Sequence, residues 1–364
     1  MQVRRRLAVS LLVCTLALTG AGIARAQETA VKSYALDRFT FESGATIANA
    51  LVTYATWGKL NAAGDNAILL PSWYGGRAVS YQFLIGEGHA LDPSRYFIVA
   101  TEMFGSGGSS SPSNTPPPFD GPRFPRVAIR DDVEAARRVL RDGLGVRRLR
   151  AVIGFSMGAQ QAFQWAVSHP DEVDAIVAIC GTAKTYPHGR VRLQSAMDAL
   201  MADPKWKGGD YTELPADGLR AWAEHWAAWV YSQEWWRQEL WRTTSPAGTT
   251  FDQAVQGFRK RFSADANDYI LQARTWQRHD VGATPGFDGN VEKALKSIKA
   301  RVLYMPSETD LYFPITDARY EQALIPRVTF TPIPSLWGHT AGAASNPADL
   351  RFLNDRIAAF LNLK

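Results

Sequence analysis

Cysteine is almost missing from this chain: two in 364 residues, Cys14 and Cys180. Cys14 lies in an N-terminal stretch that reads as removable, so a processed chain keeps one cysteine and forms no intramolecular disulfide. Cys180 closes the apolar run from Ala175 and reads as a buried small hydrophobe rather than a nucleophile. An excess of one charge is missing too. Lys and Arg number 40 against 35 Asp and Glu, a formal +5, and four of those Arg fall in residues 1–26, which hold no acid. The remainder therefore carries 5 − 4 = +1. No Lys/Arg block is left to hold a polyanion, which argues against nucleic acid as a partner. Beyond residue 26 no apolar run is long enough to span a bilayer, and no internal repeat is visible.

What is present begins with residues 1–26, which have the form of a secretory leader. Arg4, Arg5 and Arg6 make a basic start, Leu7 to Leu18 an apolar centre, and Ala24-Arg25-Ala26 an A-x-A cleavage site before Gln27. Val13 stands where a lipoprotein signal needs a small residue before Cys14. The paired arginines leave a twin-arginine route open beside the general one. The expected location is exported, periplasmic or secreted.

From residue 27 the chain reads as α/β. Tyr34–Phe41 and Ala50–Trp57 alternate as strands around a turn at Glu42-Ser43-Gly44, an edge hairpin. Ala67–Leu70, Tyr96–Ala100, Leu149–Ile153, Ala175–Cys180, Ala300–Met305 and Val328–Ile333 are short apolar runs. They alternate with helical patterns such as Ile129–Leu144 and Pro347–Leu363. Runs of this kind imply a mostly parallel sheet covered on both faces, with ligands bound beyond the carboxyl ends of its strands. Between Thr182 and Val281 the texture changes. Eight of the twelve Trp fall there, and Leu219, Trp222, Trp226 and Trp229 keep helical spacing. The reading is a Trp-rich helical lid over the strand ends. Most of its Trp would pack the lid onto the core, with one or two lining an acyl pocket. The layout is a leader at 1–26, core at 27–181, lid at 182–281 and core again at 282–364.

Gly154-Phe155-Ser156-Met157-Gly158 follows one of the apolar runs and precedes a helical pattern. G-x-S-x-G at a strand-to-helix turn lifts a serine out of the sheet, and the two glycines leave room for crossing backbone. A Gly-rich turn with an incidental serine would look the same, so the partners decide. A serine hydroxyl needs a base, and the base needs a third group to orient it. Of the six histidines, only His339 follows a late strand directly. Asp310 follows another late strand and lies between serine and histidine in the chain, with Glu308 two residues earlier as its rival. The order Ser156, Asp310, His339 is that of the α/β-hydrolase fold. An oxyanion hole needs two donors: the Met157 N–H is one, and the Trp73 N–H the other, with Ser72 in reserve.

Several stretches together resemble the homoserine O-acetyltransferase-like branch of the α/β-hydrolase fold. They are Val52–Gly58, Phe104-Gly105-Ser106, Ala128–Val133, Gly154–Gly158, Asp203–Tyr211, Ser307–Pro314 and Gly338-His339. The resemblance implies Ser156 as nucleophile, Asp310 rather than Glu308 and His339 as its partners, and a helical lid. It also implies departures. Members that acetylate homoserine usually carry an aspartate after the histidine to hold the substrate amine; Thr340 stands here. Ala196-Met197 replace a usual Gln-Arg pair, and no lid arginine is matched to the one that holds the substrate carboxylate.

The expected function is therefore an exported serine hydrolase cleaving small acyl esters through an acyl-enzyme on Ser156, with no cofactor and no metal. One alternative is an O-acyltransferase passing the acyl group to an alcohol or amine; another is a non-catalytic binding protein on the same fold. The sequence leaves the oligomeric state open, a homodimer included.

Overall fold

The computed structural model describes residues 30–260, 262 and 264–363. The expected leader, with Cys14 and the Ala26–Gln27 cleavage site, lies outside them. Among the described residues eight strands form one sheet: β1 (Lys32–Thr40), β2 (Thr46–Trp57), β3 (Ala67–Pro71), β4 (Phe97–Thr101), β5 (Ala151–Phe155), β6 (Ala175–Ile179), β7 (Arg301–Met305) and β8 (Val328–Phe330). Their order across the sheet is β1-β2-β4-β3-β5-β6-β7-β8. The hairpin β1–β2 and the β2–β4 pair are antiparallel, and every later pair is parallel.

The central strands are buried along their whole length, as runs of Val, Ile, Leu and Ala covered on both faces must be. Alternate residues feed two separate cores. Val152, Ile176, Ala178 and Val302 join one; Ile153, Ala175, Val177 and Leu303 join the other. β8 ends at Phe330, short of the expected Ile333. Pro332 and Pro334 have no N–H to donate, so the ladder breaks after Phe330 and resumes only as a single parallel bridge between Ile333 and Ser307, with the Ile333 N–H on Pro306 O at 2.8 Å.

The described residues form ten α-helices beside the sheet: α1 (Ile129–Arg138), α2 (Met157–Ser168), α3 (Pro187–Met201), α4 (Ala216–Val230), α5 (Gln233–Arg237), α6 (Phe251–Arg259), α7 (Ala266–Arg278), α8 (Val291–Lys296), α9 (Ile315–Gln322) and α10 (Pro347–Asn362). The stretch expected to be helical, Ile129–Leu144, is helical throughout: α1 runs to Arg138 and Val139–Gly143 continues it as a wider π turn. Ala159, Ala162, Phe163 and Ala166 of α2 pack on one face of the sheet, and Leu353, Ile357 and Phe360 of α10 on the other. None of the helices among the described residues is long and apolar enough to cross a membrane.

Helices α3 to α7 form one excursion between β6 and β7. The chain leaves at Ala183–Thr185 and returns beside itself at His279–Val281. Val281 N–H donates to Ala183 O at 3.1 Å, Thr185 N–H to His279 O at 2.9 Å, and Lys184 pairs with Asp280 at 2.7 Å. Trp222 and Trp226 of α4 and Trp276 of α7 are buried in the core on the α2 side.

Candidate active site

The turn from β5 into α2 places Ser156 at the carboxyl edge of the sheet. Its backbone sits at φ 59°, ψ −123°, outside the regions that L-residues ordinarily occupy. The neighbouring chain permits this only with glycine on either side. A Cβ on Gly158 would meet Pro71 O at 2.5 Å, and one on Gly181 would meet Ser156 O at the same distance. Tyr81 braces the approach: its hydroxyl donates to Pro71 O at 2.8 Å and accepts the Phe155 N–H at 2.9 Å. The serine itself is buried.

The structure brings the three residues singled out by chain order into one hydrogen-bonded line. His339 Nε2 lies 2.9 Å from Ser156 Oγ, and His339 Nδ1 lies 2.8 Å from Asp310 Oδ2. The other Asp310 oxygen, Oδ1, accepts the N–H groups of Tyr312 at 2.8 Å and Phe313 at 3.2 Å. The loop thus fixes the carboxylate and leaves one oxygen for the imidazole. With its Nδ1–H held by Asp310, the ring offers the Nε2 lone pair to the serine proton. Phe155, Tyr312 and Phe313 pack around the ring at centroid distances of 4.7, 4.6 and 5.7 Å. Glu308 is exposed while Asp310 is buried, which separates the two acids. The other five histidines make no hydrogen bond to Ser156.

The loop after β3 supplies the facing wall. Ser72 is fully engaged: its N–H goes to Thr101 O at 2.8 Å, its carbonyl takes Gln161 Nε2 at 2.8 Å, and its Oγ takes the Met103 N–H at 3.0 Å. The N–H groups of Trp73 and Met157 have no acceptor among the described residues. Of the two candidates in this loop, then, Trp73 and not Ser72 retains a free backbone donor.

Ser156 and His339 open into a cavity of about 510 Å³. Its walls are mainly aromatic: Tyr74 from the β3 loop, Trp226 from α4, Phe262, Tyr269 and Trp276 from the excursion, and Tyr312. Tyr74 stacks on Trp226 at 5.0 Å. Arg77, Ser106, Asp268 and Gln272 make a polar sector, where burial pushes the Asp268 carboxyl up to about 6. Thr340 reaches the cavity, but its hydroxyl donates to Trp337 O at 2.9 Å and it carries no charge. A larger cavity, about 760 Å³, lies among Tyr231, Trp235, Trp236 and Trp241, yet among the described residues no histidine, carboxylate or cation lines it. Among the described residues no three His, Cys, Asp or Glu side chains are grouped to hold a metal ion.

Sequence reasoning missed Arg192. It is buried on α3 behind the aromatic wall, its guanidinium 4.2 Å from the Tyr312 ring centroid, 4.8 Å from Trp276 and 5.0 Å from Trp226. None of its guanidinium nitrogens has a hydrogen-bond partner among the described residues, and burial lowers its pKa to about 10. Arginine in an amphipathic pattern reads as a solvent-facing position, so nothing local marks it. Cys180 is buried as expected, but its φ of 47° is a strain the sequence does not announce.

Similar proteins include both esterases and acetyltransferases. A family model described as alpha/beta hydrolase fold matches residues 68–341. An ethyl acetate hydrolase of Pseudomonas veronii is 37% identical, covering 88% of this chain and 92% of its own. The crystal structure of an acetylester hydrolase from Corynebacterium glutamicum superposes with a TM-score of 0.88 at 36% identity, over 92% of this chain and 96% of that one. A homoserine O-acetyltransferase of Nostoc punctiforme is 32% identical over 83% of this chain and 89% of its own length.

Proposed function

The chain belongs to the α/β-hydrolase fold family, in the branch that holds both esterases and homoserine O-acetyltransferases, and acts on acyl esters; from that premise we propose that it is a serine esterase that hydrolyses acetate and other short acyl esters. The observation that carries the reading is the line Asp310–His339–Ser156, with its two hydrogen bonds of 2.8 and 2.9 Å. Ser156 Oγ attacks the ester carbonyl as His339 Nε2 takes its proton. The tetrahedral oxyanion is held by the Trp73 and Met157 N–H groups, which are worth about 100- to 1000-fold each in rate. His339 then returns the proton to the departing alcohol, leaving an acyl-Ser156. A water, deprotonated by the same imidazole, releases the acid. Helices α3 to α7 act as the lid, and its aromatic wall favours an apolar ester over an amino acid.

Water as the acceptor is supported by Thr340. The aspartate that the acetyltransferase resemblance implies at position 340 for holding an ammonium is here a neutral hydroxyl already bonded to Trp337 O. Residues 1–26 support export, with the working protein beginning at Gln27. An active-site-directed fluorophosphonate should label Ser156, and ethyl acetate should be split at a rate unaffected by added homoserine. Formation of O-acetylhomoserine in preference to acetate would replace hydrolysis with acyl transfer. N-terminal sequencing of protein recovered outside the cytoplasm should start at Gln27; a start at Met1 would refute export by cleavage.

A further inference from the structure

Helix α7 reaches into the loop that carries the Trp73 N–H. Gln272 Oε1 accepts the Gly75 N–H at 2.9 Å, and the Tyr74 hydroxyl donates to Tyr269 O at 3.2 Å. The near end of this loop is bound to the core through Ser72. Its tip closes as a turn, Gly76 N–H to Trp73 O at 2.8 Å, with Gly75 at φ 67°. Trp73 lies between the two anchors. One belongs to the sheet; the other belongs to the helical excursion.

The direction of the Gln272 carboxamide is set by chemistry: only its oxygen can accept an N–H, so the NH₂ must face the other way. That Nε2 is buried with no partner among the described residues, and the whole residue is 2% exposed in the cavity wall. Half of the amide has therefore given up water for no bond in return. An apolar side chain of the same length would pack here without that loss. A polar group retained against its own stability, and bonded to the loop beside the serine, fits a role in the site better than a role in the fold.

We propose that Gln272 is a positioning residue for ester cleavage: from helix α7 it holds the tip of the 72–76 loop so that the Trp73 N–H stays aimed at the forming oxyanion. This rests on Ser156 being the nucleophile. It ties oxyanion stabilisation to the docking of the excursion onto the β3 loop. Because the Trp73 donor matters most when charge has developed on the oxygen, Gln272 acts on the transition state more than on bound substrate.

The test compares Gln272→Met with Gln272→Glu, which keeps an acceptor for the Gly75 N–H. The readouts are kcat and KM on p-nitrophenyl acetate, affinity for a boronic acid that forms a tetrahedral serine adduct, and Tm. For Gln272→Met, kcat should fall about tenfold, a fraction of the loss of a whole oxyanion donor. KM should stay within about twofold, boronate affinity should fall in step with kcat/KM, and Tm should not drop. Gln272→Glu should recover most of the lost kcat. A kcat near wild type in Gln272→Met overturns the proposal, as does a loss of kcat with unchanged boronate affinity. Should Gln272→Met fold poorly, Gln272→Glu decides: full loss of kcat in a stable Glu variant also overturns it. Turnover surviving in Ser156→Ala would instead sink the underlying nucleophile assignment, so the two failures are told apart.

Discussion

Gly154 and Gly158 are packed so closely that a Cβ on Gly154 would lie 1.9 Å from the Gly158 carbonyl oxygen and 2.5 Å from the Ala159 N–H nitrogen. Both are backbone atoms, so no rotamer change relieves the clash. Gly154→Ala should break the turn that raises Ser156, costing about 3 kcal/mol or more of stability. Urea unfolding and fluorophosphonate labelling together check this; a stable, normally labelled variant would show that the elbow has slack the geometry denies.

Asp310 holds two backbone N–H groups with Oδ1 and the imidazole with Oδ2. In Asp310→Asn the amide oxygen must stay with Tyr312 and Phe313, which turns the NH₂ toward His339 Nδ1. The ring is then driven to the tautomer with its proton on Nε2, where it cannot accept from Ser156. The expected result is a folded protein with kcat reduced about 10⁴-fold. Activity within tenfold of wild type would mean that Asp310 does not set the tautomer.

Two buried groups should shape stability against pH from opposite sides. Burial, helped by the Arg130 charge, pushes His279 down to about 3 from an ordinary 6.5. The unfolded chain then binds a proton that the folded chain refuses, so stability is full above pH 6.5 and is lost as pH falls toward 3. Burial pushes Glu321 up to about 8 from 4.5. Here the unfolded chain releases a proton that the folded chain keeps, so stability is full below pH 4.5 and is lost as pH rises through 8. Gln at 321 can still accept from Ala183 and Tyr304. Glu321→Gln should therefore flatten the decline of Tm between pH 5 and 8; an unchanged slope would contradict a neutral Glu321 in the fold.

Trp226 forms part of the cavity wall, stacked on Tyr74 and facing Arg192. Trp226→Ala should cost about 3–5 kcal/mol and enlarge the space beside Ser156. In a series of p-nitrophenyl esters from acetate to octanoate, kcat/KM should shift toward the longer acyl groups. An unchanged profile would place the acyl group elsewhere in the cavity.

How far the chain could be read depended on the sequence distance over which each feature is built. The elbow is local: a strand, five residues and a helix, all contiguous, so the pattern contains its own geometry. Asp310 and His339 are distant from Ser156, but each follows a strand, and strand ends converge in a parallel sheet, so order alone brought them near. The acid of the pair needed more, because Glu308 and Asp310 share a loop: the family resemblance favours Asp310, and in the fold Asp310 is the one that is buried and bonded to His339. The break in β8 follows from Pro332, whose missing N–H an apolar pattern does not register, and the π turn after α1 leaves the helical spacing of 129–144 unchanged. Gln272, Tyr269 and Arg192 had no signature. Gln272 meets Gly75 across 197 residues, and only the folding back of α7 puts them side by side.

The meeting of Ala183–Thr185 with His279–Val281 also bears on how such an enzyme can change over generations. A segment whose two ends lie next to each other can be lengthened, shortened or exchanged without altering the strand order beneath it. Substrate range can then drift by recombination of the 185–279 stretch between relatives while the sheet is inherited intact. The exchange has one condition: a transplanted segment must bring an acceptor for the Gly75 N–H, or the new pocket will bind esters that it cleaves slowly.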